Sequence, residues 1–467
     1  MKGRTIALLS ILMMLISISG RPPIRRTANL SPLFNQAQQP HSNIIICGND
    51  DFANQSVVEG WSGNGSASNP YLIENYTIQD PSYCLSISQV SVSFLVRNCS
   101  LLTTSYGPCV ILSNTSNGCI EGCVVQSVYI GVEFYYARDC ILDSNLIEGS
   151  RDVVVVKDSY NCTFTRNILT NGGVLLDSVD DAGFQHAFSD NTVMGRPLGY
   201  FSGVWGENID ASSFGQLILV NCTSVTLSGG NLWGVPYGIL LMACYDCYLL
   251  SCNVNGSEYG VVVLTCGGVM VAEGEFYGNM YSGVLINRSD NCVLQNNIVY
   301  SNSFDGIMIL GPNATIIDNS IYNNGGGIGF IDGWGGVQTI NGLVTGNNVW
   351  QNSGYGIALG YGVSGCRLFS NVIHYNGVNA RDDGSGNSWD NGVDTGNQWS
   401  DYSLFGVYQI PGDAGSVDHY PRAYSNTTNG IIDGFPIQDL GLAMWFSWSI
   451  IVIAIPVFLM IRTRRSE

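Results

Sequence analysis

One interval of 22 or 23 residues constrains this chain more than any other feature. Gly followed by an aliphatic triplet recurs at Gly238-Ile-Leu-Leu, Gly260-Val-Val-Val, Gly283-Val-Leu-Ile, Gly306-Ile-Met-Ile and Gly356-Ile-Ala-Leu; the first three steps are 22, 23 and 23 residues. A second phrase, Cys, four residues, Asn, keeps the same period at Cys140/Asn145, Cys162/Asn167, Cys292/Asn297 and Cys366/Asn371. Ala314/Asn319 and Gly342/Asn347 carry it with a small residue in place of Cys. Self-similarity at this period marks a solenoid.

Each period holds short runs of Val, Ile, Leu and Tyr cut by Gly, Asn, Ser and Asp, which are strand and turn signals. No run shows the i, i+3, i+4, i+7 pattern of an amphipathic helix. The reading is all-β: a single-stranded parallel β-helix of about 12 coils between Tyr71 and Asn376, each stacked on the last at about 4.8 Å. Residues one period apart then become vertical neighbours, and stacking builds the core that one coil lacks. The recurrent Asn is expected at a left-handed corner, with its amide bonding up and down the stack. Cys at one-coil spacing reads as a column of buried small side chains, mostly free thiols. Cys244 and Cys247 form a lone CxxC, a weak metal or redox signal.

Composition sets the class. Charged residues are 12%, lysine occurs only at Lys2 and Lys157, and net charge is −18. Nucleic-acid binding is therefore not expected, since it needs Lys and Arg in number. Residues 1–20 read as a signal peptide and 21–44 as a linker. The β-helix is placed at 45–380 and its C-terminal cap, rich in Trp and Tyr, at 381–425. A second linker at 426–438 leads to an apolar transmembrane helix at 439–462 and a cytoplasmic tail at 463–467, with Arg462, Arg464 and Arg465 trailing the span. The expected location is the cell membrane, single-pass, with the bulk of the chain extracellular.

Three phrases carry a family resemblance: Gly-x-Gly-x-x-x-x-Asn-Pro-Tyr at Gly63 to Tyr71, the stretch from Asp190 to Gly229, and the closing WDNG…GNQWSDY to Tyr402. Over roughly residues 45–422 the chain resembles the NosD-like periplasmic copper-binding family of right-handed parallel β-helix proteins, in the membrane-anchored form. The right hand and the copper are what this resemblance implies. The residues argue separately about copper: His41, His186, His374 and His419 form no HxH or HxxxH, the Met residues do not cluster, and the Cys columns point inward. No cofactor is expected from them.

Chemistry has few footholds. Asp177, Asp180 and Asp181, with His186, are the densest carboxylate group and the catalytic candidates, since glycoside cleavage uses two carboxylates. Asp-Asp before Ala-Gly is also ordinary turn chemistry. Arg138, Arg151, Lys157 and Arg166 read as solvated corners. Asp382, Asp383, Asp390 and Asp394 have the oxygen ligands calcium takes, without the EF-hand spacing. Asn75, Asn98, Asn161, Asn221, Asn287 and Asn313 open Asn-x-Ser/Thr acceptors for glycans. The favoured expectation is a non-enzymatic surface rod binding carbohydrate or another surface protein, with Tyr245, Tyr259, Tyr281, Tyr300 and Tyr322 on an outer face. The alternative is a polysaccharide lyase or glycoside hydrolase acting in a groove of the β-helix, and a second alternative, implied by the family resemblance alone, is a copper-binding or maturation protein.

Overall fold

The computed structural model describes residues 38–178, 180–332 and 338–425. The signal segment, the span expected at 439–462, its linker at 426–438 and the tail at 463–467 lie outside these residues. Among the described residues no helix is long and apolar enough to cross a membrane.

The period becomes a right-handed parallel β-solenoid of about 15 turns. The count exceeds the expected 12 because coils continue beyond both chosen ends: Ile44–Cys47 already pairs with Leu85–Ser88, and Val378–Asp382 with Tyr355–Leu359. The expected linker at 21–44 enters the described residues only at its end, where Gln39–His41 pairs with Tyr76–Ile78. Each coil contributes strands to three sheets. In the later coils one turn is Tyr259–Leu264, Met270–Ala272 and Glu275–Tyr277, repeated as Val284–Asn287, Val293–Gln295 and Ile298–Tyr300.

Positions one period apart are vertical neighbours. Ile141 lies opposite Thr163, beside Cys140 and Cys162, and Val261 lies opposite Val284, beside Gly260 and Gly283. A Cβ on Gly260 would sit 2.3 Å from the Gly283 carbonyl oxygen, so only glycine fits this inner corner. All fifteen cysteines are free thiols, and all but Cys47 and Cys119 are buried.

The recurrent Asn takes one of its two expected roles. Asn145, Asn167 and Asn191 form one buried ladder, and Asn297, Asn319, Asn347, Asn371 and Asn397 another, each Nδ2 donating to the next Oδ1 at 2.9–3.0 Å. The left-handed corner, however, falls on the residue before: Ser144, Arg166, Asn296, Asp318 and Ser370 have φ of 54–60°. The physical reason is division of labour. The corner residue turns the chain and faces out, which carries the next side chain inward, where an amide meets backbone groups that need partners. Other Asn residues, among them Asn161 and Asn221, do occupy left-handed corners.

The coils form two bodies with separate cores. Leu217, Leu219, Ile239, Leu241, Val261 and Val263 belong to the core of the second. The residues between them, Ile218, Val220, Leu240, Met242 and Val262, face the other way and join the core of the first. This explains the aliphatic triplets: a strand buried on both faces reads as continuous rather than alternating hydrophobicity. At the junction the Gln216 side chain stands in for a strand, accepting from Val174 N at 2.8 Å and donating to Val174 O at 2.7 Å. The N-terminal end is closed by the helix Asn49–Glu59, whose Phe52 packs on Trp61, Tyr71 and Phe94.

Candidate functional site

Two features stand out from the ladders: an aromatic column on the third sheet and a buried carboxylate, Asp305, with one unpartnered oxygen.

Outward positions of successive third-sheet strands place Tyr277, Tyr300, Tyr322, Trp350 and His374 in line, with Tyr424 stacked on His374 from the cap. Successive ring centroids are 4.8, 5.1, 4.3, 5.8 and 4.2 Å apart, with interplanar angles between 3° and 17°. The one-rung spacing of parallel strands is close to that of stacked rings, so aromatics in register stack without adjustment. Polar groups flank the line. Tyr300 Oη donates to Glu275 Oε1 at 2.9 Å, and His374 Nε2 donates to Asn348 Oδ1 at 3.0 Å. Burial first, then Glu275, raises the Tyr300 phenol, while burial lowers His374 to about 4. Both stay neutral and serve as hydrogen-bonding groups at neutral pH. Of the other tyrosines expected outside, Tyr259 and Tyr281 stack at 4.9 Å in a second file beginning at Tyr237, and Tyr245 stands exposed at a corner.

Asp305 precedes the recurrent Gly306, where other coils carry Tyr237, Tyr259, Ser282, Gly326 and Tyr355. It is 6% exposed, its Oδ2 has no partner, and burial raises its pKa to about 7. Gly326 and Gly329 lie against it; a Cβ on either would meet the carboxylate at 2.1 or 2.5 Å. One rung below, the Ser282 hydroxyl is also buried and unpartnered. Sequence reasoning missed this pair, although an acid in a tyrosine column is a visible anomaly.

Of the carboxylates singled out from sequence, Asp177 and Asp180 sit on different elements, and the Asp181 side chain lies outside what the structure describes. Asp177 ends the strand Ile168–Asp177 opposite Lys157, and its charge acts on Tyr237 of the second body. Burial first, then Asp177, Tyr259, Glu258 and Asp152, hold that phenol well above its ordinary value. Asp180 caps the short 3-10 helix Asp181–Phe184, accepting from Gly183 N at 3.1 Å and Tyr160 Oη at 3.0 Å. His186 faces inward beside Phe164 and Phe188. Its Nδ1 accepts from Cys162 N at 3.3 Å and its Nε2 donates to Gly183 O at 3.0 Å. Burial holds it at about 4, so it is a neutral ring with both nitrogens engaged. Of the basic residues, Arg166 pairs with Asp143, and Arg151 reaches Met280 Sδ of the second body at 3.2 Å.

The cap spends its acids on its own donors. Asp382 accepts from Asn387 Nδ2, Trp389 Nε1 and Ser416 Oγ. Asp383 accepts from Arg381 Nε and Asp413 N. Burial alone would raise Asp390, but the His419 N–H and ring outweigh it and hold the carboxyl below its usual range. Asp394 is lowered by Asn391 and Thr395 of its own loop. Among the glycan acceptors, Asn161 and Asn221 are exposed, and Asn75, Asn98, Asn287 and Asn313 are partly buried.

The comparisons fit this architecture. The chain is a NosD-like right-handed β-helix protein. Residues 203–341 match the family described as periplasmic copper-binding protein (NosD), and residues 60–205 match the right-handed β-helix region. No curated protein matches the chain. Among solved structures it is similar to the Azotobacter vinelandii mannuronan C-5 epimerase AlgE6 A-module, at 14% identity over 76% of this chain and 85% of that one, TM-score 0.34. The periplasmic alginate epimerase AlgG is similar at 11% identity over 83% and 85%, TM-score 0.25. A mannuronic acid-specific family 6 polysaccharide lyase from human gut microbiota is similar at 11% over 83% and 92%, TM-score 0.29. Likeness at this level says nothing about activity.

Copper, named in the family description, finds no fitting donor set. Among the described residues no group of three His, Cys, Asp or Glu is placed to hold a metal. The thiols donate to backbone carbonyls inside the core, as Cys244 does to Leu219 O and Met242 O and Cys247 to Tyr245 O. Burial raises Cys140 to about 11 and Cys162, Cys252 and Cys292 to about 12, while hydrogen bonds from neighbouring thiols lower Cys84, Cys99, Cys222 and Cys247, so it is the placement of the donors that does not fit copper.

Proposed function

We propose that this protein is a membrane-tethered extracellular solenoid that binds carbohydrate along the third-sheet aromatic column, without catalysis. The observation that carries this reading is the unbroken stack from Tyr277 to Tyr424. The stacked rings cover one another's faces, so the column offers a row of ring edges and phenol groups beside the Glu275 carboxylate and the Asn348 amide, and glycan hydroxyls find hydrogen-bond partners along it. The expected span at 439–462 supplies the tether, and the net charge of −18 disfavours nucleic acid as partner. The test is a glycan array probed with the purified protein and a Tyr300→Ala/Tyr322→Ala variant. Retention of a glycan by the wild type and loss in the variant supports the reading; no retained glycan, with capture of a surface protein instead, refutes it.

A second reading rests on Asp305. A buried carboxyl with a pKa of about 7 is the kind of group that moves protons at neutral pH. Under this reading the protein is a carbohydrate-active enzyme. It predicts new reducing ends or unsaturated sugars from a polysaccharide panel, abolished by Asp305→Asn.

A further inference from the structure

The cap carries an apolar tip that its own fold does not use. Leu404 is 68% exposed and Phe405 86% exposed, with Val407 beside them at 41%. The tip is held in shape. Leu404 has φ 69°, a left-handed conformation that branched L-residues avoid, and Tyr402 Oη donates to Gly406 O at 2.6 Å across its base. A strained leucine presented next to an exposed phenylalanine is not explained by packing.

Its position supplies the second observation. The strand Gln398–Trp399 leads into the tip five residues later and pairs directly with Arg422–Ala423, the last described strand. The chain therefore leaves the solenoid from the same terminal rung that bears Leu404 and Phe405. After Ser425 come 13 linker residues, 426–438, and then the apolar stretch Leu440 to Ile461. Thirteen residues span at most about 45 Å even when fully extended, which keeps the start of the apolar stretch near the terminal rung.

We propose that the Leu404–Phe405 tip inserts into the outer surface of the bilayer that the C-terminal segment spans, so that the solenoid stands on the membrane at two points. The fitting surface is zwitterionic lipid, because Asp401 lies three residues before the tip and the chain is strongly acidic, with a net charge of −18. Two points of contact fix the inclination of the solenoid, which a single point cannot do. This rests on the tether proposed above.

The test uses the full-length chain reconstituted into phosphatidylcholine vesicles, with a photo-crosslinking benzoylphenylalanine placed at Phe405 or, as control, at Val57. Val57 is equally exposed, at 82%, on the helix that closes the N-terminal end of the first body. Lipid adducts at position 405 exceeding those at position 57 by roughly an order of magnitude support the proposal. Adducts to protein at 405, or equal lipid yields at both positions, overturn the tip while leaving the tether standing. A chain that stays in the aqueous fraction overturns both.

Discussion

Asn319 donates its side-chain amide to Asn347 Oδ1 at 2.9 Å across 28 residues of chain, six more than separate Asn297 from Asn319 on the rung before. The ladder keeps its step even where the sequence does not, so the stack rather than the spacing is what the fold preserves.

The first prediction follows from that contact. Asn319 Nδ2 also donates to Leu294 O and Ile317 O. Asn319→Ala leaves buried carbonyls without donors, at about 1–3 kcal/mol for each group stranded. Denaturant titration should show a loss on the order of 3 kcal/mol. A change below about 0.5 kcal/mol, the size of a neutral surface substitution, would contradict the ladder's role.

Asp305 gives a pH prediction with a definite sign. Its folded pKa of about 7 lies above the ordinary 3.8, so the folded state binds the extra proton between those values. Stability should therefore fall as pH rises from about 4 to about 7, by up to roughly 4 kcal/mol from this group. His186 and His374, held at about 4 by burial, act oppositely and lose stability as pH falls from 6.5 towards 4. The difference between wild type and Asp305→Asn isolates the carboxyl. Thermal melts at pH 5 and pH 8 should show the variant gaining on the wild type at the higher pH; parallel curves would refute it.

Thiol access tests the cysteine columns. Native protein treated with an alkylating reagent should label Cys47 first, Cys119 slowly, and none of the other thirteen of fifteen until denaturant is added. Rapid labelling of Cys140 or Cys244 in native protein would contradict the columns. Failure to label most thiols even when denatured without reductant would mean disulfides.

Much of the fold was legible because stacking copies one environment from coil to coil. Recurrent Cys, Asn and Gly reported shared interior surroundings, and those positions do stack. The two-body arrangement was not legible. It is set where the period breaks, between Asp177 and Gln216, and it depends on a glutamine imitating a strand. Its trace was the aliphatic triplet, which one-sided burial does not require. The aromatic column was half visible: Tyr300 and Tyr322 were singled out, but Trp350 and His374 differ in kind and only geometry joins them. His186 looked like a catalytic partner because sequence cannot show a ring turned in among Phe164, Phe188 and backbone groups.

The most direct test of the central claim is calorimetric titration of the array-selected glycan as a series of increasing length. Tyr277 to His374 spans five rungs, about 19 Å at the strand spacing. Affinity should rise with oligosaccharide length until that span is covered and then level off, and Tyr300→Ala/Tyr322→Ala should abolish the rise. Affinity independent of length, or unchanged in the variant, would contradict binding along the column.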